Sequence, residues 1–178
     1  MSKQKLFLLD AYALIYRAYY AFIKNPRVNS KGQNTSAIFG FVNTLEEVLK
    51  KENPSYIAVA FDPPGPTFRH TEFEAYKAQR EATPEDIKAS VPLIKKILEA
   101  YNIPVLEKEG FEADDVIGTL AKKADKDKFD VYMMTPDKDY GQLTEQHVFI
   151  YKPKYGSNEF EILDDKKVME KYRVSHPS

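Results

Sequence analysis

Glu112, Asp114 and Asp115 place three carboxylates in four consecutive positions, inside the stretch Gly110-Phe-Glu-Ala-Asp-Asp-Val-Ile-Gly118. Charges this dense repel, so a helix N-terminus, protons or cations must offset them. Val116, Ile117, Leu120, Ala121 and Ala124 follow at helical spacing, so the acids open a helix, with Glu112 and Asp115 on one face and Asp114 to the side. One reading is ordinary acidic charge complementing the helix macrodipole. The other is a metal site, and it gains weight because acids recur elsewhere in matching places: Asp10, Asp62, and the pair Asp137 and Asp139 each follow an apolar run. Two unit charges about 4 Å apart repel by about 4 kcal/mol at an effective dielectric near 20, so acids gathered in one place must hold protons or cations. Oxygen donors without Cys or His select hard ions, Mg²⁺ or Mn²⁺. Two such ions about 3.5 to 4 Å apart polarise a phosphodiester, activate water and stabilise the leaving oxygen, so the matching chemistry is phosphoryl-transfer hydrolysis. Each acid also has a plainer role: Asp10 suits a helix cap, Asp62 a turn before Pro63 and Pro64, and Asp137 and Asp139 a solvated loop around Lys138. Only a shared location separates the two readings.

The elements that would supply that location are legible in outline. Residues 5–9 read as a buried strand, 11–23 and 35–51 as helices, and 56–61 as a second strand. Pro63, Pro64, Gly65 and Pro66 then impose a rigid, non-helical loop. Thr83-Pro-Glu-Asp starts a helix to about residue 101, with Thr83 as N-cap and acids in the first turn. A third strand is expected over 103–106, a helix over 112–124, a fourth strand over 130–134 and a fifth over 148–151. This order predicts an α/β domain with a mostly parallel central sheet flanked by helices. In such sheets the functional crevice lies beyond the carboxyl ends of the strands, where all the acids named above would converge.

Composition narrows the class. At 178 residues and 43% hydrophobic content the chain suits one domain with a sizeable core. No apolar run approaches the roughly 18 residues of a membrane helix, and the basic start at Lys3 and Lys5 lacks a signal-peptide core, so a soluble protein is expected. The absence of cysteine excludes disulfides and thiolate metal sites and fits a reducing cytoplasm. His70, His147 and His176 are scattered, which argues against an imidazole zinc site. A formal net charge of −1 argues against a uniformly basic nucleic-acid binder but leaves room for charges sorted onto different faces.

Arg17 is the one charged residue of the 11–23 helix, and a guanidinium among apolar residues needs an anionic partner. Positions 10, 14 and 17 share a helix face, which places Arg17 to bridge a crevice carboxylate or to reach a substrate phosphate. The segment from Thr67 to Arg80 mixes Arg69, Tyr76, Lys77 and Arg80 with other aromatics, a composition suited to a nucleic-acid backbone with an unstacked base on a ring. A solvated helix face balanced by Glu72 and Glu74 fits the same residues.

Taken together, Leu8-Leu-Asp10 with Leu14-Ile-Tyr-Arg-Ala-Tyr19, Ala60-Phe-Asp62, Thr67-Phe-Arg-His70, Tyr76-Lys-Ala-Gln-Arg80, Glu112-Ala-Asp-Asp-Val-Ile-Gly118 and Asp137-Lys-Asp139 with Gln142-Leu143 resemble the N-terminal 5′-3′ exonuclease, or flap endonuclease, domain of bacterial DNA polymerase I. The likeness runs in order through nearly the whole chain. It implies a PIN-like (resolvase-like) three-layer fold and a divalent-metal-dependent nuclease that removes RNA primers and displaced 5′ flaps. By that resemblance Asp10, Asp62, Glu112, Asp114, Asp115, Asp137 and Asp139 match metal-site positions for two Mg²⁺ or Mn²⁺ ions. Arg17, Lys77 and Arg80 match positions at the scissile phosphate, and Arg69 and Tyr76 join them in DNA binding at an arch through which a single strand passes. The implied partners are DNA with a 5′ flap, nick or RNA primer and a polymerase domain in cis, in a monomer of the bacterial cytoplasm associated with the nucleoid and not with a membrane.

The sequence departs from that family in places. Ala11 stands where glycine is frequent, which changes packing more than chemistry, and Pro136 stands where small or polar residues are common. The chain stops at Ser178, short of the family's Gly-Asp-x-Ser-Asp-Asn segment and helix-hairpin-helix, so residues 164–178 are expected to lead toward that subdomain and the nuclease to be impaired without it. Two other classes remain open. A receiver domain also gathers acids around Mg²⁺ but needs no cationic arch, and a non-catalytic module would bind flap DNA without metal.

Overall fold

A computed structural model describes residues 3–64, 84–134, 147–153 and 160–164. Its elements are β1 (Gln4–Asp10), α1 (Ala11–Ala21), α2 (Ser36–Glu52), β2 (Tyr56–Ala60), α3 (Glu85–Ala100), β3 (Val105–Leu106), α4 (Ala113–Lys123), β4 (Phe129–Met134), β5 (Val148–Pro153) and β6 (Phe160–Leu163). They build one sheet in the order β3-β2-β1-β4-β5-β6. Every pairing is parallel except β5 with β6, which is antiparallel.

The centre of the sheet explains why its strands read as unbroken apolar runs. In β1, Phe7 and Leu9 enter the core shared with α1, α2 and α3, while Leu8 enters the core shared with α4. Strands β2 and β4 divide in the same way, with Val59, Tyr132 and Met134 on the first face and Ala60, Val131 and Met133 on the second. A parallel strand covered on both faces needs apolar side chains at every position, and the result is three layers, helix, sheet and helix.

Most element ends shift by a residue or two from those the sequence suggests, and three departures are larger or have a clear cause. Helix α1 ends at Ala21 rather than residue 23, because the Phe22 and Ile23 amides turn back to Tyr19 O and Tyr20 O, both at 3.3 Å, ahead of Pro26. Strand β3 keeps only Val105 and Leu106. The Ile103 amide is spent closing α3 on Leu98 O at 2.9 Å, and Pro104 has no N–H to give a ladder. Strand β6 was not anticipated: Phe160-Glu-Ile-Leu163 is too short for its alternation to stand out, and its pairing with β5 is what defines it. The expected N-cap Thr83 and the approach over 165–178 lie outside the described residues.

Aromatic rings tie the β4-β5-β6 side to β1. Phe149 stacks on Tyr132 at 5.3 Å, Tyr132 on Phe7 at 4.7 Å, and Tyr151 meets Phe7 edge-on at 5.4 Å and stacks on Phe160 at 5.1 Å. Tyr151 is buried and donates to Glu52 Oε1 at 3.4 Å. Its burial, and then the negative charges of Glu52 and Glu47, push its hydroxyl up to about 12. The folded chain therefore holds this proton more tightly than the unfolded chain, so the associated stability is complete below pH about 10 and is lost as pH rises toward about 12. Tyr151→Phe is expected to lose less stability than the wild type between those pH values, measured by urea unfolding.

Helices α1 and α2 approach through small residues. A Cβ placed on Gly40 would lie 2.5 Å from the Ala18 Cβ and 3.2 Å from the Ala18 Cα. Gly40→Ala improves helix propensity by about 1 kcal/mol, yet overpacking costs about 1 to 3 kcal/mol, and contact with a neighbouring Cβ and backbone leaves little room to relax. Net destabilisation is expected in thermal unfolding, and Ala18→Gly in the same chain should recover most of it through a non-additive cycle.

Candidate metal centre

Helix α4 begins at the carboxyl edge of the sheet, and its first turn gathers the acids. One carboxylate oxygen each from Glu112, Asp114 and Asp115 lies within 4.8 Å of the others. Glu112 is buried, and Asp114 and Asp115 are half-buried. Glu112 is also the helix N-cap and forms a capping box with Asp115, whose Oδ2 accepts the Glu112 amide at 3.1 Å. Helix capping and oxygen clustering, alternatives in the sequence, coexist in the fold: the same side chains cap the helix and face one another.

Asp62 reaches the same helix turn from beyond the end of β2. Two residues past the end of β2, its Oδ1 accepts the Ala113 amide at 2.7 Å. That amide is one of the N-terminal donors an α-helix leaves unsatisfied, so a carboxylate from a distant part of the chain completes the turn that carries the other three acids. Positive helix-terminus charge partly offsets the four carboxylates gathered around it.

Asp10 stands at the end of β1, in register with Ala60 and next to the point where the sheet order turns from β1 to β4. It caps α1 by accepting the Ala13 amide at 3.3 Å. The plainer reading of Asp10 is thus realised, at a topological switch point where α/β sheets place their ligands. Asp137 and Asp139, together with Arg69, Tyr76, Lys77 and Arg80, lie outside the described residues.

Arg17 extends over the Phe160 ring, 5.4 Å from its centroid. Partial burial lowers its pKa from the ordinary value, and the negative charge of Glu47 acts against that shift. It therefore links α1 to β6 and lies within electrostatic reach of Glu47 on α2. Tyr12, Tyr16 and Tyr19 pack against the core, whereas Tyr20 is 53% exposed.

A surface that the sequence reading passed over lies between α1 and α2. Arg27 is placed over Phe22 at 5.4 Å and over Phe39 at 5.1 Å, and the two rings meet edge-on at 5.6 Å. Tyr20, Ile23, Val28 and Phe39 are exposed large apolar residues of the same segment. The signal was present as an absence: from Ala11 to Leu45 the chain holds Arg17, Lys24, Arg27 and Lys31 and not one Asp or Glu.

A model of the family described as 5′-3′ exonuclease, N-terminal resolvase-like domain, matches residues 5–173. This chain belongs to that family. The exonuclease-family domain is 47% identical to DNA polymerase I of Treponema pallidum over 142 residues, 80% of this chain and 14% of that protein. It is 40% identical to a 5′-3′ exonuclease of Aquifex aeolicus over 169 residues, 95% of this chain and 56% of that protein. The chain thus spans a small part of the polymerase and little more than half of the exonuclease. Among solved structures, the T5 5′-exonuclease with bound zinc ions matches with a TM-score of 0.64 at 18% identity, over 96% of this chain and 61% of that one. That likeness establishes the fold, a PIN-like layered sheet, for this exonuclease-family domain. No helix among its described residues is long and apolar enough to cross a membrane.

Because the Asp62 carboxylate completes the first turn of α4, Asp62→Ala is expected to destabilise the domain by about 1.5 to 3 kcal/mol in urea unfolding with EDTA, the range for a hydrogen bond to a charged group. Asp62→Asn retains an acceptor for the Ala113 amide and should cost less than half as much.

Proposed function

We propose that this domain is a divalent-metal-dependent, structure-specific 5′-3′ exonuclease and flap endonuclease acting on DNA and RNA-primer phosphodiesters in replication and repair. The observation that carries this reading is the oxygen cluster of Glu112, Asp114 and Asp115 at the N-terminus of α4, with Asp62 bonded into the same turn. The donor set fits the ion: carboxylate oxygens without thiolate or imidazole, two of them half-exposed, suit Mg²⁺ or Mn²⁺. Glu112, Asp114, Asp115, Asp62 and Asp10 would hold it, with Asp137 and Asp139 completing a site for two ions. When bound, such ions supply Lewis acidity at the phosphodiester and lower the pKa of a water nucleophile.

The rest of the work falls to the chain. Arg17, Lys77 and Arg80 offset charge developing on the scissile phosphate, and Arg69 and Tyr76 hold the single strand near it. The acid-free segment between α1 and α2, with Arg27 among exposed aromatics, gives flanking DNA a cationic and stacking surface. Its partners are DNA bearing a 5′ flap, nick or RNA primer and, in the longer protein, a polymerase domain in cis, which its polymerase relatives support. The domain acts as a monomer in the bacterial cytoplasm at the nucleoid.

Mn²⁺ or Mg²⁺ is expected to raise the melting temperature of the wild-type chain and to support cleavage of a 5′-flap DNA. Asp115→Asn keeps an acceptor for the Glu112 amide while removing a charge, so it should abolish cleavage and the metal-induced shift with near-native circular dichroism. Cleavage by Asp115→Asn at the wild-type rate would remove the metal role from that residue, and flap binding that EDTA leaves intact with no cleavage would favour a binding module.

A further inference from the structure

Phe61 lies just past the end of β2. It is fully buried, directly precedes Asp62, and its amide donates to Leu106 O at 2.8 Å. One contact on its ring is Tyr12, edge-on at 6.0 Å, from the first turn of the helix that Asp10 caps. Another is the Lys95 ammonium of α3, 5.0 Å from the ring centroid. Lys95 is itself anchored by Glu107 Oε2 at 2.7 Å, and Glu107 directly follows the Leu106 whose carbonyl holds Phe61. The circuit is closed: Lys95 on the Phe61 ring, the Phe61 backbone on β3, and the residue after β3 back on Lys95.

From this circuit we propose that Lys95 and Glu107 form a positioning pair. By pinning the Phe61 ring against Tyr12, the pair fixes where Asp62 leaves β2 relative to Asp10 and to the first turn of α4, and so sets the affinity of the acid cluster for a divalent cation. The inference rests on the metal-centre reading given above. Adjacency in the chain is what transmits the effect: Phe61 and Asp62 follow β2 directly and share a planar peptide unit, so a ring and amide that cannot shift limit the movement of the backbone bearing the carboxylate. Both partners are partly exposed, so the pair adds little to global stability.

The sign of the effect separates this role from plain electrostatics. Removing a cation close to an acidic site strengthens its hold on a metal ion if charge alone matters. If position matters, Lys95→Met, which keeps an aliphatic stem over the ring and removes the ammonium, weakens that hold. Calorimetric titration of the whole chain with Mn²⁺ should show Lys95→Met weakened about three- to tenfold, below the roughly 10- to 100-fold typical of groups that touch a metal ligand directly. Glu107→Gln should weaken it in the same direction, Lys95→Arg should restore near-wild-type binding, and the melting temperature in EDTA should hardly move. Lys95→Met binding Mn²⁺ as tightly as wild type or tighter, or Lys95→Arg as weak as Lys95→Met, would overturn the proposal. So would unchanged Mn²⁺ affinity together with a salt-dependent rise in KM for flap DNA, which would make Lys95 a substrate contact. A wild-type chain that takes up no Mn²⁺ overturns the metal-centre reading itself, an outcome distinct from any difference among these variants.

Discussion

The hydrogen bond from the Ala113 amide to Asp62 joins two requirements that otherwise conflict. A site for a hard cation needs several carboxylates close together, yet carboxylates close together repel in a folded chain that holds no cation. The N-terminus of α4 eases that conflict because its unsatisfied amides and dipole favour negative charge at this spot. Capping uses Glu112 and Asp115, and Asp62 supplies an acceptor from just past the end of β2. Glu112, Asp115 and Asp62 are thus held by the backbone they cap.

That arrangement requires the strand ends to be fixed, which the middle of the sheet provides. Strands β1, β2 and β4 are buried on both faces, and a one-residue slip of β1 would exchange Phe7 and Leu9 with Leu8 between two differently shaped cores. The close approach of Gly40 to Ala18 draws α1 against α2, and the Phe149-Tyr132-Phe7-Tyr151-Phe160 rings carry the packing across to β6. Register in the sheet therefore becomes position at its edge, where Asp10 and Asp62 emerge from neighbouring strands.

Periodicity and strand-end logic made the central parts legible from sequence: the alternating β and α order, the parallel sheet, and the acids Asp10, Asp62, Glu112, Asp114 and Asp115 at its carboxyl edge. What they could not reach depends on contacts between residues distant in the chain. Ile103 reads as strand from its apolar side chain but gives its amide to Leu98, a competition that hydropathy does not register. Arg17 was placed by helix phase alone, and phase cannot show that a four-residue strand more than a hundred positions later brings Phe160 beneath it. Lys95 looks like one more solvated lysine on an amphipathic helix until Phe61 and Glu107 are seen around it.

Charge sorting would let a near-neutral chain meet the polyanionic partner proposed for it. With a formal net charge of −1, the protein as a whole offers DNA little long-range attraction, and an evenly mixed surface would offer little local attraction either. Its charges are not evenly mixed. Thirty-five residues, from Ala11 to Leu45, carry four cations and no acid, immediately after Asp10. Because screening confines surface electrostatics to about 8 to 10 Å at physiological salt, a phosphate near this segment responds to its cations far more than to acids elsewhere on the surface. The acid cluster would repel the same phosphate unless its charge is neutralised, so under the proposed function a divalent cation would be needed to place substrate as well as to cleave it. Under the proposed function, Lys24, Arg27 and Lys31 would draw a duplex toward this segment, while its approach to the carboxylates would depend on bound metal.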